Sequence, residues 1–229
     1  MNRSTPIHTG ERSISVERCR DPELIEQVLR RDYFDDPIRY LPENTIRTLA
    51  RSWFARRSEI YFITAEVDGA YAGFVFAHTM GPALWRLFAR RHPLHIPALL
   101  RAKAKMRKPS TPESRPAHVP SDAAQVEKIE AEIAALNLPV LPRPFAWAPA
   151  DGRSGRIALL FTHSGFRGLG LAQHMLEGAA RHMAASGVTC VEAHIDEYNI
   201  SSVRAFMKAG WEVSRMSARD FWARKKVGE

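Results

Sequence analysis

A hexapeptide with two glycines, RGLGLA at residues 167–172, follows a run of apolar and β-branched residues at 157–162. The apolar run predicts a buried strand, and apolar side chains repeat at helical spacing after Gly170. A helix start presents unpaired backbone N–H groups and the positive end of the helix dipole. Glycine at 168 and 170 lets an anion approach the backbone without meeting a Cβ. Strand, glycine turn and helix in this order predict a cradle for a diphosphate group.

Three ionisable side chains alternate along the next predicted strand, residues 188–196. Glu192, His194 and Asp196 fall on one face of that strand. Burying such groups unpaired is costly, so the cluster indicates a functional site, pairing with Arg or Lys of a neighbouring helix, or a solvated strand end. These alternatives stay open. His194 is the first candidate for a general base, because imidazole titrates nearest to neutral pH, and Glu192 is the second.

A second motif follows the hexapeptide. Asn199, Ser202 and Phe206 precede Gly210 and Trp211 with the spacing N-x-x-S-x-x-x-F-x-x-x-G-W. Together the two motifs resemble the GCN5-related N-acetyltransferase (GNAT) superfamily, whose loop for the pyrophosphate of acyl-coenzyme A has the pattern Arg/Gln-x-x-Gly-x-Gly/Ala. A short glycine motif recurs by chance, but two motifs in the family's order and spacing make the resemblance specific. It covers residues 156–213 closely.

The resemblance implies an α/β (α+β) fold with a mixed, largely antiparallel, twisted sheet of about seven strands and flanking helices. The sheet would splay between its fourth and fifth strands, and the pantetheine arm of coenzyme A would enter the gap as though it were a strand. We expect a single domain over residues 14–229 after a disordered tail at 1–13. A basic, helical and Pro-rich insertion is expected at 81–154, between the third and fourth strands.

The resemblance also implies a set of binding residues. Main-chain groups of the fourth strand would hold the pantetheine arm, the hexapeptide would hold the diphosphate, and the Asn199 and Ser202 side chains would reach the pantetheine and phosphate region. Phe206 stands where the family often has a tyrosine as general acid, and phenylalanine cannot donate a proton. The residues expected to bind acetyl-coenzyme A are Leu160, Phe161, Thr162, Arg167, Gly168, Leu169, Gly170, Leu171, Ala172, Asn199, Ser202 and Phe206.

The composition suits a globular protein with a sizeable core, since 45% of the 229 residues are hydrophobic. The N-terminal residues contain no apolar signal region, and no apolar run approaches the ~18 residues that span a bilayer. We therefore expect a cytoplasmic protein. Cys19 and Cys190 are expected to be reduced structural thiols, and no pattern of metal ligands is present, so we expect no metal.

The net charge of +8 originates in one segment. No acidic residue lies between Asp68 and Glu113, whereas eight Arg and Lys residues lie between positions 86 and 108. Residues 82–108 mix these charges with apolar side chains, a pattern that suits an anionic membrane surface, an anionic substrate or nucleic acid. Nucleic acid ranks last, because no nucleic-acid-binding motif is present. A lid whose charges merely face water is the remaining alternative.

These patterns predict an acetyl-coenzyme A-dependent N-acetyltransferase that acts on a small-molecule primary amine by direct attack in a ternary complex. A phosphate-bearing acceptor or an amino sugar would suit the basic segment. Two alternatives stay open: a coenzyme A-binding sensor or partner module without turnover, and an acyltransferase acting at a membrane surface. No nucleic-acid partner is expected, and a homodimer is left open.

Overall fold

The computed structural model describes residues 7–9, 12–30, 37–56, 58–79, 83–106, 122–140, 154–196, 198–216 and 220–228. Residues 1–6 of the expected tail lie outside these ranges, and so do the Pro-rich parts of the insertion at 109–120 and 141–149. The described residues form one sheet with helices on both faces.

Eight strands form this sheet. They are β1 (Ile7–Thr9), β2 (Arg12–Arg18), β3 (Ile60–Val67), β4 (Ala70–His78), β5 (Ser154–Thr162), β6 (Cys190–Ile195), β7 (Glu212–Arg215) and β8 (Phe221–Lys226). Their spatial order is β1-β2-β3-β4-β5-β6-β8-β7. Every neighbouring pair is antiparallel except β5 and β6, which are parallel. The predicted mixed, largely antiparallel sheet is confirmed.

Seven α-helices accompany the sheet in the part of the chain that is described. They are α1 (Pro22–Arg30), α2 (Glu43–Phe54), α3 (Ala83–Arg91), α4 (Ile96–Met106), α5 (Ala123–Ala135), α6 (Leu171–Ala184) and α7 (Ile200–Lys208). Helices α3, α4 and α5 all lie between β4 and β5 in sequence, so most of the described insertion is helical. Pro93, which lacks a backbone N–H, opens a short 3-10 turn that separates α3 from α4.

The hairpin between β3 and β4 shows how local sequence sets this topology. Asp68 and Gly69 form its turn, with φ of 53° and 79°. A two-residue turn of this kind needs positive φ at both positions, which Asp tolerates and Gly adopts freely. The Asp68 carboxylate also accepts a hydrogen bond from the Ser13 backbone N–H at 2.9 Å. This hydrogen bond joins the hairpin turn to β2.

Each face of the sheet carries its own hydrophobic core. Helices α6 and α7 cover one face, where Met175 and Leu176 are fully buried, and Ile133 of α5 joins them. Helices α1 to α4 contribute to the core on the opposite face, where the Trp53 ring stacks on Phe76 at 4.5 Å. Because the central strands β3 and β4 are buried on both sides, they read as nearly continuous apolar runs.

The expectation of a disordered tail over residues 1–13 is wrong for residues 7–9 and 12–13. Strand β1 pairs with β2, and Ile7 lies opposite Ile14. Main-chain pairing at a sheet edge satisfies backbone groups even where side chains are polar, so a polar stretch without strong apolar alternation can still form a strand. This edge strand raises the count from about seven to eight.

Candidate functional site

The sheet opens between its two parallel strands. Residues 154–157 of β5 pair with 190–193 of β6, and the pairing stops there. Strand β5 continues to Thr162 and β6 to Ile195 without further pairing to each other. The two strands therefore border a gap, and the predicted splay is confirmed.

A β-bulge marks the start of this gap. The register of β4 against β5 passes from Phe76 opposite Leu159 to Ala77 opposite Ile157, which leaves Ala158 without a partner on β4. An extra residue of this kind bends its strand and increases the local twist. The bend turns the remainder of β5 away from β6.

Main-chain groups of β5 point alternately toward β4 and toward the gap. The His163 N–H donates to the Ala72 carbonyl at 2.9 Å, which makes these two residues a hydrogen-bonded pair. In an antiparallel ladder such pairs recur at every second residue, so the Phe161 main chain is directed at β4. The main-chain groups of Leu160 and Thr162 are then directed at the gap. Leu160, Phe161 and Thr162 are the three residues expected to hold a pantetheine arm through main-chain groups. The main chain of Phe161 faces β4 instead of the gap.

The glycine hexapeptide lies between the end of β5 and the first turn of α6. A short 3-10 turn, Ser164–Phe166, precedes it, and α6 begins at Leu171 with Gly170 as its N-cap. Gly168 and Gly170 have φ of 87° and 73°, in the left-handed region that favours glycine. Gly170 has no side chain to accept hydrogen bonds from the first N–H groups of the helix. The predicted strand, glycine turn and helix are confirmed.

The other residues of the hexapeptide fix the turn in place. Leu171 is buried and Leu169 packs against the core on the α6 face, while Ala172 is half-buried. Arg167 is exposed. A Cβ placed on Gly168 would meet no atom within 4 Å, so there is open space beside the loop. Backbone amides, the helix start and one exposed guanidinium are a donor set that fits a diphosphate.

The second motif lies at the start of α7. Asn199 is the N-cap of this helix, and its Oδ1 accepts from the Ser202 backbone N–H at 3.1 Å. Ser202 is half-buried. Phe206 is 3% exposed, and its ring meets Trp211 edge to face at 4.9 Å. The Phe206 side chain thus packs in the core on the α6 face of the sheet.

His194 stands one residue beyond the last β6 residue that pairs with β5, at the mouth of the gap. Its Nε2 lies 3.0 Å from Oδ1 of Asp220, and its Nδ1 lies 3.7 Å from Oδ1 of Asp196. The side chain is 31% exposed, so solvent or a substrate reaches it. A histidine held between two carboxylates at the mouth of the gap is suited to accept a proton from a cationic group.

Comparison with known proteins agrees with this geometry. Residues 130–211 match the model of the Acetyltransferase (GNAT) family, a range that includes β5, the glycine loop, α6, β6 and α7. Over these residues the chain is similar to a GNAT acetyltransferase domain. Comparison with curated proteins found no significant match.

Solved structures share the fold of the GNAT acetyltransferase domain. A candidate acetyltransferase of Acinetobacter baylyi is 14% identical with a TM-score of 0.51, and the alignment covers 95% of each chain. A GNAT-family acetyltransferase of Streptococcus pneumoniae is 11% identical with a TM-score of 0.50, over 94% of this chain and 99% of the other. At such identities the likeness is one of fold.

Glu192 of the acetyltransferase domain belongs to a row of charged and titratable side chains across the sheet. The register places one residue from each of five adjacent strands in this row: His78, Arg156, Glu192, Arg224 and Glu212. Burial raises the pKa of Glu192, while Arg224 and Arg156 act to lower it. Because Glu192 is buried between two arginines, pairing with basic residues is favoured over a role as general base. These arginines belong to the neighbouring strands β5 and β8, and not to a neighbouring helix as expected.

Two residues in and around the site carry no sequence motif. Asp220 precedes β8, 26 residues after His194, and only the antiparallel pairing of β6 with β8 brings it to the histidine. His78 ends β4, where burial, and then the nearby Arg156 charge, lower its pKa to about 4. Only strand pairing brings Asp220 and His78 to the site, and a single sequence does not give the register of that pairing.

Within the described ranges, no group of His, Cys, Asp and Glu side chains could hold a metal ion. Across the same residues, no helix has the length and apolar character needed to cross a membrane.

Proposed function

We propose that the protein is an acyl-coenzyme A-dependent N-acetyltransferase whose acceptor is a small-molecule primary amine with positive charge. The observation that carries this proposal is the position of the gap. Parallel pairing ends at Ile157 and Ala193, a short 3-10 turn connects the open stretch of β5 to the glycine loop, and His194 stands at the mouth. One groove thus joins an anion cradle, exposed main-chain groups and a base.

The glycine loop and the start of α6 would hold the diphosphate. Gly168 and Gly170 have positive φ, and the positive end of the α6 dipole favours negative charge beside them. Main-chain groups of Leu160 and Thr162 would pair with the pantetheine arm in the place of a missing strand. The bound cosubstrate supplies an acyl thioester, and a β5 N–H that faces the gap would polarise its carbonyl.

His194 would act as the general base. With the Nε2–H donated to Asp220, its Nδ1 lone pair is available to take the proton that the amine must lose. Asp196 and Asp220 would attract an ammonium group to this position. The charges beside the base therefore favour a cationic acceptor over a phosphate-bearing one, and an amino sugar fits when its charge is positive.

One observation favours a second candidate function, a coenzyme A-binding module without turnover. Phe206 replaces the family's frequent tyrosine and is buried against Trp211, so this position offers no proton to a departing thiolate. In the enzyme that we propose, water or the protonated His194 supplies that proton. Free thiols at Cys19 and Cys190 support a reducing compartment, and we propose that the protein acts in the cytoplasm.

Release of coenzyme A thiol in the presence of an amine panel tests the proposal. We expect thiol release with diamines and cationic amino sugars, and slower release with phosphate-bearing amines. Binding of acetyl-coenzyme A by calorimetry without thiol release for any amine would support the second candidate. Absence of binding would contradict both.

A further inference from the structure

Helices α3 and α4 form a surface on the side of the molecule that carries α1 and α2. Leu84 and Phe88 of α3 are buried in that core, and Ala102 anchors α4. The Thr45 hydroxyl of α2 lies 2.9 Å from His95 Nδ1, which ties the turn between the two helices to the core. The segment is thus seated on the domain with a defined inner face and a defined outer face.

Large apolar side chains protrude from the outer face. Leu94, in the turn between the helices, is 91% exposed, and Leu100 of α4 is 63% exposed. Ile96 is 37% exposed and lies one helical turn before Leu100, so these two share a stripe on α4. The five exposed large hydrophobic residues of the described chain include these three; the other two, Val140 and Met207, lie on other elements. Three exposed large apolar side chains within residues 94–100, rather than single ones scattered over the surface, indicate a surface with a partner.

Exposed basic residues precede and follow these apolar side chains in the sequence. Six basic residues of α3 and α4 are exposed: Arg86, Arg90, Arg91, Arg101, Lys103 and Lys105. Residues 83–106 contain no acidic residue that could neutralise them. We refer to Arg90, Arg91, Leu94, Ile96, Leu100, Arg101 and Lys103 as the Leu94 surface.

We propose that the Leu94 surface docks the protein on an anionic lipid bilayer. Exposed leucines gain free energy by entering the boundary between headgroups and acyl chains, and the basic side chains beside them remain among anionic headgroups. Nucleic acid would use the charges but would gain little from the exposed apolar side chains of Leu94 and Leu100. The surface is separate from the proposed acetyl transfer and does not depend on it.

Co-sedimentation of the full chain with vesicles tests the proposal. We expect binding to vesicles of phosphatidylcholine mixed with phosphatidylglycerol, and little binding to phosphatidylcholine alone. The pair Leu94→Ser and Leu100→Ser should reduce the partition coefficient by about a hundredfold, about tenfold for each leucine. The pair Arg90→Gln and Arg91→Gln should reduce it about fivefold for each charge, and raised salt should reproduce that loss.

Matched variants separate a local effect from a general one. Val140→Ser removes an exposed apolar side chain elsewhere, and Lys128→Gln with Lys208→Gln removes two exposed charges elsewhere; all three should leave vesicle binding within about twofold of wild type. Circular dichroism checks that each variant is folded.

Three results would overturn the proposal. They are absence of binding to anionic vesicles, equal losses in the matched variants, and binding of an RNA homopolymer that the Arg90 and Arg91 changes abolish while vesicle binding persists. None of these outcomes depends on acetyl-coenzyme A, so they are independent of the proposed function.

Discussion

The two nitrogens of His194 have unequal neighbours. Nε2 lies 3.0 Å from Asp220 and Nδ1 lies 3.7 Å from Asp196, so hydrogen bonding favours the tautomer with the proton on Nε2. Asp220 thereby orients the imidazole, and Nδ1 is the position at which a substrate proton is accepted. Asp196 is exposed and belongs to the entrance rather than to the core.

Replacing His194 tests this assignment. Since general-base catalysis contributes about 10²–10⁴ in rate, His194→Gln should lower kcat with a responsive amine by about a hundredfold or more. The Kd for acetyl-coenzyme A should not change, because the cradle does not include His194. Steady-state kinetics and calorimetry measure the two quantities. The matched variant His182→Gln, on α6, should keep wild-type kcat; equal losses in both variants would reject the assignment.

His78 is a buried histidine that makes the stability of the protein depend on pH. Its pKa is lowered from 6.5 to about 4 by burial and, secondly, by the Arg156 charge. The unfolded chain binds a proton at this residue near pH 6.5, and the folded protein does so only near pH 4. The free energy of unfolding therefore falls as the pH falls from 6.5 to about 4, and His78 causes no further loss below the lower of these two values.

Urea unfolding at several pH values tests this linkage. Acidification through that window should cost the wild-type protein about 3 kcal/mol through His78, at about 1.4 kcal/mol for each pH unit. His78→Asn cannot titrate, so its free energy of unfolding should fall by about 3 kcal/mol less over the same interval. Glu192, whose pKa is raised, acts in the opposite direction in both proteins and cancels in the comparison. Parallel pH profiles would contradict the prediction.

At the level of elements, the glycine loop offers a matched pair of positions. A Cβ on Gly165 or on Gly168 would meet no atom within 4 Å, but only Gly168 has a positive φ, 87°. Alanine at Gly168 therefore has a backbone penalty of about 1–2 kcal/mol that alanine at Gly165 does not have. The two substitutions therefore differ in the backbone conformation that alanine must adopt, and not in the space around its Cβ.

Calorimetry with acetyl-coenzyme A should separate these two variants. Gly168→Ala should raise the Kd about tenfold, because the strain shifts the amides that face the diphosphate. Gly165→Ala should bind as the wild-type protein does. Equal affinities for the two variants would show that the conformation of the loop does not determine binding.

Strand β5 reaches its open position because Gly73 of β4 lets it approach closely. A Cβ on Gly73 would lie 2.4 Å from the Phe161 carbonyl oxygen, which is backbone and cannot move alone. A Cβ on Gly155 would lie 2.3 Å from Met183 Sδ, the end of a flexible side chain. The two positions are about equally crowded. The obstructing atom is backbone at Gly73 and the end of a side chain at Gly155.

We therefore expect Gly73→Ala to destabilise the protein by about 1–3 kcal/mol and to weaken binding of acetyl-coenzyme A, because β5 must shift at the gap. Gly155→Ala should cost less, since Met183 can change rotamer. Thermal unfolding and calorimetry measure both effects. The reverse order of stability would contradict this account of the gap.

The elements that carry strong local signals could be predicted from the sequence. The Asp68-Gly69 hairpin, the glycine loop before α6 and the Asn199 cap each depend on residues within a few positions of one another. Strand β1 could not be predicted, because its stability comes from pairing with β2 and its three residues have little apolar content. Likewise, His194 was a candidate from its own strand, but its partner Asp220 comes from pairing with β8.

The whole molecule separates its functions between regions. The gap and the glycine loop lie on the half of the chain from β5 to β8, whereas the Leu94 surface lies on the inserted helices, which pack over α2. Sequence predicted the helices and the basic charge of that insertion. It could not predict that Leu94 and Leu100 point outward while Leu84 and Phe88 point inward, because all four sit among apolar and basic neighbours.

Backbone amide hydrogen exchange, with and without acetyl-coenzyme A, tests the central claim most directly, because that claim concerns main-chain groups. If the gap and the helix start hold the cosubstrate, exchange should slow at residues 160 and 162 and at residues 168–173, while the amides of α1 and α3 exchange as before. Exchange that is unchanged at these positions, or slowed only elsewhere, would contradict the account.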